Sequence, residues 1–375
     1  MSLILGIETT CDETAAAVVR DGRFVHSSVI ATQFELHRKF RGVVPEIASR
    51  AHIENILPVI TEAVGHAGRA LADVDAIAVA NRPGLIGSLL IGVTAAKTLA
   101  WALDKPLISV DHVQAHLYSV NLVDATDPAR RLMSQGANTA QPTEISEVES
   151  DTKIAASTAL AFPAVGLVVS GGHTALYRID DFSRIERIGA TIDDAVGEAY
   201  DKVAAILGLG FPGGPIVDAL AAEGDASAIA FPRSYLARGS LDFSFSGLKT
   251  AVLYRVRGDK GRERDASSLS PQQVRDVAAS FQAACVDVII RKLQRAIDFT
   301  GARQVIVGGG VSSNRGLRAA LSRLTIPARV PPMQFCTDNA AMIAGLAHLK
   351  YASGDFASLD LDAVTQSEIA LAASV

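Results

Sequence analysis

The chain has 375 residues, 49% of them hydrophobic and 20% charged, with a formal net charge of -5. That balance describes a globular protein of two domains or one large one, with ample apolar sequence for a buried core. It excludes a disordered chain and a strongly basic one, so bulk charge announces no nucleic-acid partner, although a local basic patch would suffice for one. Three dispersed cysteines, Cys11, Cys285 and Cys336, form no Cys-x-x-Cys pair and point to a reducing cytosol. The first residues lack the basic n-region and long apolar run of a signal peptide. A cytoplasmic protein without membrane association is expected.

In chain order, Leu3–Thr10 and Ala15–Arg20 are apolar runs, and Asp21-Gly22 is a hairpin turn leading into Arg23–Thr32. Three antiparallel strands are expected. Pro45 opens a periodic segment to about Gly68, with Ile47, Ile53, Ile56, Leu57, Ile60 and Val64 on one face of a helix. A strand at Ala76–Ala80, a Pro83-Gly84 turn, a helix to Leu103, a strand at Leu107–Val110 and a helix bearing His112 and His116 follow. The membrane-like stretch Leu85–Leu103 contains Lys97 and sits between two strand runs, which makes it a buried core helix. The order is β-β-β-α-β-α-β-α.

Residues 124–160 are rich in Ser, Thr, Glu, Asp and Ala without a sustained period, and read as a polar insertion. The order then repeats. Strands are expected at Ala164–Ser170, Thr174–Ile179 and Ile185–Thr191, and helices at about Asp194–Leu207, Ile216–Glu223, Ser246–Val256 and Pro271–Phe299. A strand at Gln304–Val307, a helix from Asn314, a strand at Ala328–Val330 and a last helix from about Thr337 complete it. Two such halves would face each other across a ligand-binding cleft. The expected divisions are 1–123, 124–160, 161–335 and 336–375.

His112 and His116 are four apart, so a helix projects both imidazoles from one face, within reach of one metal ion. A zinc protease would need Glu beside the first histidine, and Val113 stands there instead. The repeat places Asp338 at the start of the helix equivalent to the histidine helix, which makes it the candidate third ligand. Two histidines and a carboxylate with open positions suit iron or zinc. For Asp338 alone, the bland alternative is an acid stabilised by a helix dipole.

The repeat also pairs the hairpin Glu8-Thr9-Thr10 with Ser170-Gly171-Gly172, a candidate clamp for a nucleotide's phosphates. The glycine run Gly308-Gly309-Gly310 after a buried strand would let a nucleotide approach the backbone. Phe211-Pro212-Gly213-Gly214-Pro215 reads first as a helix connection. Asp193, Asp194, Glu198 and Asp201 fall on one expected helix, and Asp201 and Asp218 are candidates to hold ribose or substrate hydroxyls.

Taken together, Gly6-Ile-Glu-Thr-Thr-Cys-Asp-Glu-Thr14, Gly42-Val-Val-Pro-Glu-Ile-Ala-Ser-Arg50, His112-x-x-x-His116, Val169-Ser-Gly-Gly-His-Thr174, Asp193–Lys202, Phe211–Pro215, Asp242–Lys249, Gly308–Arg315 and Cys336–Asn339 resemble the TsaD family of tRNA threonylcarbamoyladenosine transferases. The resemblance spans nearly the whole chain except about 124–160 and the C-terminal tail. It implies an α/β, actin-like ATPase (ASKHA) fold of two RNase H-like domains around a cleft. It also implies transfer of a threonylcarbamoyl group from threonylcarbamoyl-AMP to N6 of the adenosine beside the anticodon in tRNAs reading ANN codons. By motif match, His112, His116 and Asp338 would ligate one divalent metal, iron in first place and zinc in second. Val168, Val169, Ser170, Gly171, Gly172, Asp201, Gly214, Asp218 and Asn314 would contact the adenylate. Asp12 and Glu13 would sit at its phosphate end as the candidate catalytic acids. Implied partners are tRNA, a TsaB-like protein and a TsaE-like ATPase. One departure is Arg82, where the family's pattern has a small glycine. The alternatives are an actin-like-fold kinase or ATPase, a metalloprotease disfavoured by Val113, and a non-catalytic scaffold.

Overall fold

The computed structural model describes residues 1–40, 42–126, 160–258 and 266–371. The chain forms two compact units. Unit 1 comprises Met1–Ala31, His52–Ala161 and Asn339–Thr365; unit 2 comprises Thr32–Ala51, Phe162–Asp338 and Gln366–Val375. The expected polar insertion lies, from 127 to 159, outside the described residues.

Unit 1 is built on a sheet of β1 (Leu3–Glu8), β2 (Glu13–Arg20), β3 (Phe24–Thr32), β4 (Ala76–Arg82), β5 (Leu107–Asp111) and β6 (Val123–Asp124), in spatial order β5-β4-β1-β2-β3-β6. β1 runs antiparallel to β2 and parallel to β4, with Ile4 opposite both Val19 and Ala76. The β2–β3 turn needs left-handed backbone at Asp21 (φ 50°) and Gly22 (φ 67°), which explains the Asp-Gly pair. Unit 2 repeats the plan with β7 (Ala164–Val169), β8 (Thr174–Asp181), β9 (Arg184–Ala190), β10 (Gln304–Gly308), β11 (Ala328–Arg329) and β12 (Ala370–Leu371), in order β11-β10-β7-β8-β9-β12. The two sheets therefore share one topology, each closed at one edge by a two-residue strand that the sequence reading did not anticipate.

The helices are α1 (Phe34–Arg38), α2 (Pro45–His66), α3 (Ile86–Leu103), α4 (His112–Tyr118), α5 (Val196–Ile206), α6 (Gly213–Ala221), α7 (Ser246–Arg257), α8 (Pro271–Thr300), α9 (Arg315–Leu321) and α10 (Ala340–Ser353). Helix α8 starts at a Ser270–Gln273 capping box with Pro271 in its first turn and stops at Gly301 in the left-handed region. Among the described residues α3 is the one helix long and apolar enough to cross a membrane. It packs on β4 and contributes Leu89, Val93, Ala96 and Ala100 to the core of unit 1, which gives that apolarity a job inside the fold. The buried face of α2 is smaller than expected. Ile56, Ile60 and Val64 are buried, but Ile53 and Leu57 are 60% and 65% exposed. Ile53 and Leu57 lie seven residues before Ile60 and Val64 on the same side of the helix, so their exposure reflects how far neighbouring elements extend over that face and not the periodicity itself.

The C-terminal helix α10 belongs to unit 1, where it packs on β1, β2 and α4. Gly6 permits this: a Cβ there would lie 2.4 Å from the Ala340 carbonyl oxygen. Helices α10 and α4 also approach closely, since a Cβ on Gly345 would lie 3.1 Å from Tyr118 Cε1. This seating fixes where the residues just before α10 emerge.

Candidate metal centre and nucleotide loops

Helix α4 begins where β5 ends. Asp111 caps it, its Oδ1 accepting from the Val113 and Gln114 amides at 2.9 and 3.2 Å. The cap orients the first turn, and His112 and His116 stand one turn apart, both buried, with ring centroids 4.6 Å apart in an edge-on arrangement. Asp338 immediately precedes Asn339, whose Oδ1 caps α10 by accepting from Met342 at 3.0 Å. The last helix thus starts at Ala340 rather than near Thr337, and Asp338 sits just outside it. Because α10 lies against α4, the Asp338 carboxylate reaches the histidines, and the three ligand atoms lie within 4.8 Å of one another.

Donors each about 2.1 Å from one ion lie ~3.4 Å apart in tetrahedral geometry, so a set spread over up to 4.8 Å must draw together by as much as roughly 1.4 Å to close on a metal. The donor chemistry fits. His112 Nδ1 lies 2.9 Å from the buried Glu8 carboxylate, the outer-shell partner that metal-ligating histidines ordinarily have. The group is compatible with a single metal ion.

The candidate acids Asp12 and Glu13 sit at the β1–β2 turn, Asp12 buried and Glu13 opening β2. This turn is anchored from several sides. His52, fully buried on α2, donates from Nε2 to the Cys11 carbonyl at 3.1 Å, and its Nδ1 lies 2.8 Å from Thr14 Oγ1. Ser88 Oγ also donates to the Cys11 carbonyl, and Thr9 Oγ1 donates to Ser88 O at 2.9 Å. The Leu85 amide donates to Thr10 O, and Gly84 is required there because a Cβ would come 2.5 Å from that oxygen. Beside this contact, Arg82 lies at a register shift between β4 and β5, opposite Asp111.

In unit 2, Val168 and Val169 are buried in β7, and Ser170 is held by its amide donating to His173 O and its carbonyl accepting from Gly197. Gly171 and Gly172 that follow are exposed, and a Cβ on either would meet nothing within 4 Å. Gly309 (φ 90°) lies against this strand, where a Cβ would come 2.4 Å from Val169 O. The β7 hairpin and the glycine run after β10 are therefore neighbours. Asp201 Oδ1 accepts from the Gly213 amide at 2.6 Å and borders a small hollow lined by Arg38, Ala205, Leu209, Gly210 and Phe211. Gly214 has open space around it. Asp218 is engaged by Arg315, whose Nε and amide donate to its two oxygens at 2.8 and 3.2 Å. Asn314 caps α9 through Oδ1 and donates from Nδ2 to Gln282, which also accepts from Tyr200. Each polar atom of Asn314 thus has a protein partner, its amide and carbonyl included.

Asp193 and Asp194 precede α5 rather than lying on it, because the helix begins only after Ala195. Asp193 accepts from the Ser244 and Ser246 hydroxyls and the Phe245 amide; Asp194 takes Lys202 and Lys249, both at 2.6 Å. Burial pushes the Asp194 carboxyl up, but the two ammonium groups outweigh it and hold it below the usual carboxylate range. The two acids tie α5 to α7.

Sequence reasoning missed the bracing residues Glu8 (toward His112), His52, Gln282 and Arg315. His52 and Arg315 stood beside or inside motifs already singled out. Glu8 also stood inside one, read only as part of a phosphate clamp, and Gln282 gave no local signal; their partners are 104 and 32 residues away.

A family model described as tRNA N6-adenosine threonylcarbamoyltransferase, TsaD, matches residues 24–141 and 143–345. The chain belongs to the TsaD family. Relatives bearing that same enzyme name include one from Symbiobacterium thermophilum, 48% identical over 96% of this chain and 95% of its own length. Another, from Moorella thermoacetica, is 46% identical over the same shares. Among solved structures, full-length HypF in its phosphate- and nucleotide-bound form is similar over 95% of this chain and 47% of its own, with 15% identity and a TM-score of 0.51. That likeness concerns the fold alone. With the duplicated sheet order, it makes this an α/β protein of the actin-like ATPase fold, built from two RNase H-like units.

Proposed function

We propose that this transferase moves the threonylcarbamoyl group of threonylcarbamoyl-AMP to N6 of adenosine 37 in tRNAs reading ANN codons. Family membership supports the reaction, and the observation that carries the site is the His112–His116–Asp338 group closing on one point beside the anchored β1–β2 turn. The donor is a mixed carbamic–phosphoric anhydride with a good leaving group, so no covalent nucleophile on the protein is needed. The N6 amine attacks the carbamoyl carbon, the bond from that carbon to the phosphate oxygen breaks, AMP departs, and the amine gives up a proton. A metal ion, iron before zinc, held by His112, His116 and Asp338 would supply Lewis-acid neutralisation of the leaving phosphate.

The chain's own residues do the rest. The exposed Gly171-Gly172 turn gives a phosphate access to backbone, and buried Val168, Val169 and Ser170 hold that turn in place. Asp201, Gly214, Asp218 and Asn314 shape the nucleoside side. Asp201 and Asp218 keep carboxylate lone pairs for ribose or threonyl hydroxyls while bonded to Gly213 and Arg315, and Asn314 acts through the rigid cap it forms. Asp12 or Glu13 accepts the N6 proton. A TsaB-like partner and a TsaE-like ATPase work with the chain in the cytoplasm. The test is a transfer assay with purified chain, partners, threonylcarbamoyl-AMP and unmodified tRNA, read by mass spectrometry of nucleosides. Asp12→Ala or Glu13→Ala is expected to abolish transfer while adenylate binding survives. Full activity in both would remove the acid–base assignment.

A further inference from the structure

We propose that Glu8 is the positioning residue that makes His112 a metal ligand, an inference that rests on the metal reading above. Glu8 ends β1 with its side chain wholly inside the protein, and a carboxylate there must be fully bonded. Its two oxygens are divided between two tasks. Oε1 accepts the Thr10 amide at 2.5 Å, which tightens the start of the β1–β2 turn, and Oε2 meets His112 Nδ1 at 2.9 Å. Thr10 Oγ1 adds a longer contact to the same nitrogen, at 3.3 Å.

A carboxylate can only accept, so His112 Nδ1 must carry the proton. In the neutral ring the lone pair then resides on Nε2, the nitrogen with which His112 would ligate. The brace also stops the imidazole from turning about its side-chain bonds and increases its basicity. β1 sets the other side of the ligand group as well. Two residues before Glu8, Gly6 receives the first turn of α10, the helix that Asp338 precedes. One strand therefore indexes both halves of the ligand set.

Substitution by glutamine separates this role from simple filling of space. Gln has the shape of Glu but one oxygen, and the site presents two donors. Glu8→Gln must turn its NH₂ toward either the Thr10 amide or His112 Nδ1. In the second case it favours the tautomer with the proton on Nε2, which cannot bind a metal. The experiment measures Zn²⁺ affinity of the full chain by chelator competition, and the visible spectrum of the Co²⁺ form, for the native protein, Glu8→Gln, Glu8→Asp and His112→Ala. Glu8→Gln is expected to bind about 10- to 100-fold more weakly with an altered cobalt spectrum, and Glu8→Asp to fall between it and the native protein. Affinity within about threefold and an unchanged spectrum in Glu8→Gln, while His112→Ala loses the metal, would overturn the brace and leave the metal site standing. Native-like binding by His112→Ala would remove the metal reading and the proposal with it. Should Glu8→Gln fail to fold, ¹⁵N-histidine spectra of the native metal-free protein decide instead. A proton on Nδ1 alone supports the brace, and a proton on Nε2 overturns it.

Discussion

In unit 1 the turn after β1 is closed. Glu8, Thr9 and Thr10 are buried, and their polar groups go to His112, Ser88 and the turn's own backbone. In unit 2 the turn after β7 holds the same place in the same sheet order and is open, with exposed Gly171 and Gly172 following an anchored Ser170. One topology has thus yielded a closed turn beside the candidate metal ligands and an open one with accessible backbone. The expectation of one phosphate clamp built from both hairpins paired two turns whose side chains differ in the availability of their polar groups. Glutamate and threonine spend theirs on the protein; a glycine pair has none to spend and leaves the backbone accessible.

The largest effect should come from breaking the closed side. Asp338→Ala removes one of three ligands from a group whose other members are buried, so metal content should fall toward zero and transfer by about a hundredfold or more, read by elemental analysis and nucleoside mass spectrometry. Native metal content in that variant would mean that the two histidines hold the ion without it.

On the open side, two glycines should separate stability from binding. Gly309→Ala forces a side chain into left-handed backbone and onto the Val169 carbonyl, at a cost of about 1–3 kcal/mol visible as a lower Tm. Gly171→Ala meets no neighbour and should leave stability within about 0.5 kcal/mol, yet weaken adenylate binding severalfold by calorimetry. A Tm loss in Gly171→Ala would show that this turn is not open after all.

A smaller effect tests a region that serves neither turn. The Asp194 carboxyl is held below the usual carboxylate range in the folded protein, so its contribution is fully present above the ordinary value of about 3.9 and is lost as pH falls through the folded value. Asp194→Asn should lower Tm by a few degrees at pH 7, and the gap should close as the pH drops below about 4. A gap that persists unchanged at low pH would assign the effect to shape rather than charge.

Much of this architecture was legible in the sequence because it is written in local patterns. Apolar runs broken by Asp21-Gly22 or Gly171-Gly172 mark the hairpins, and Pro271 and Gly301 bracket the long helix α8. The third metal candidate, Asp338, was reachable because the repeat converts a long-range question into a positional one. Partnerships across the fold carried no such pattern. Nothing near Glu8 points to His112, nor does anything near Asp193 and Asp194 show that their partners Ser244, Ser246 and Lys249 would draw them off the start of α5. Periodicity also overstates burial, as Ile53 and Leu57 show, because it reports which residues share a face and not how far a neighbour extends over it.

The most direct measurement is mass spectrometry of tRNA nucleosides from cells depleted of this chain and complemented with native protein or with His112→Ala. Loss of threonylcarbamoyladenosine on depletion, return with the native chain and no return with the variant is the predicted result. Persistence of the mark after depletion would contradict the transferase assignment itself.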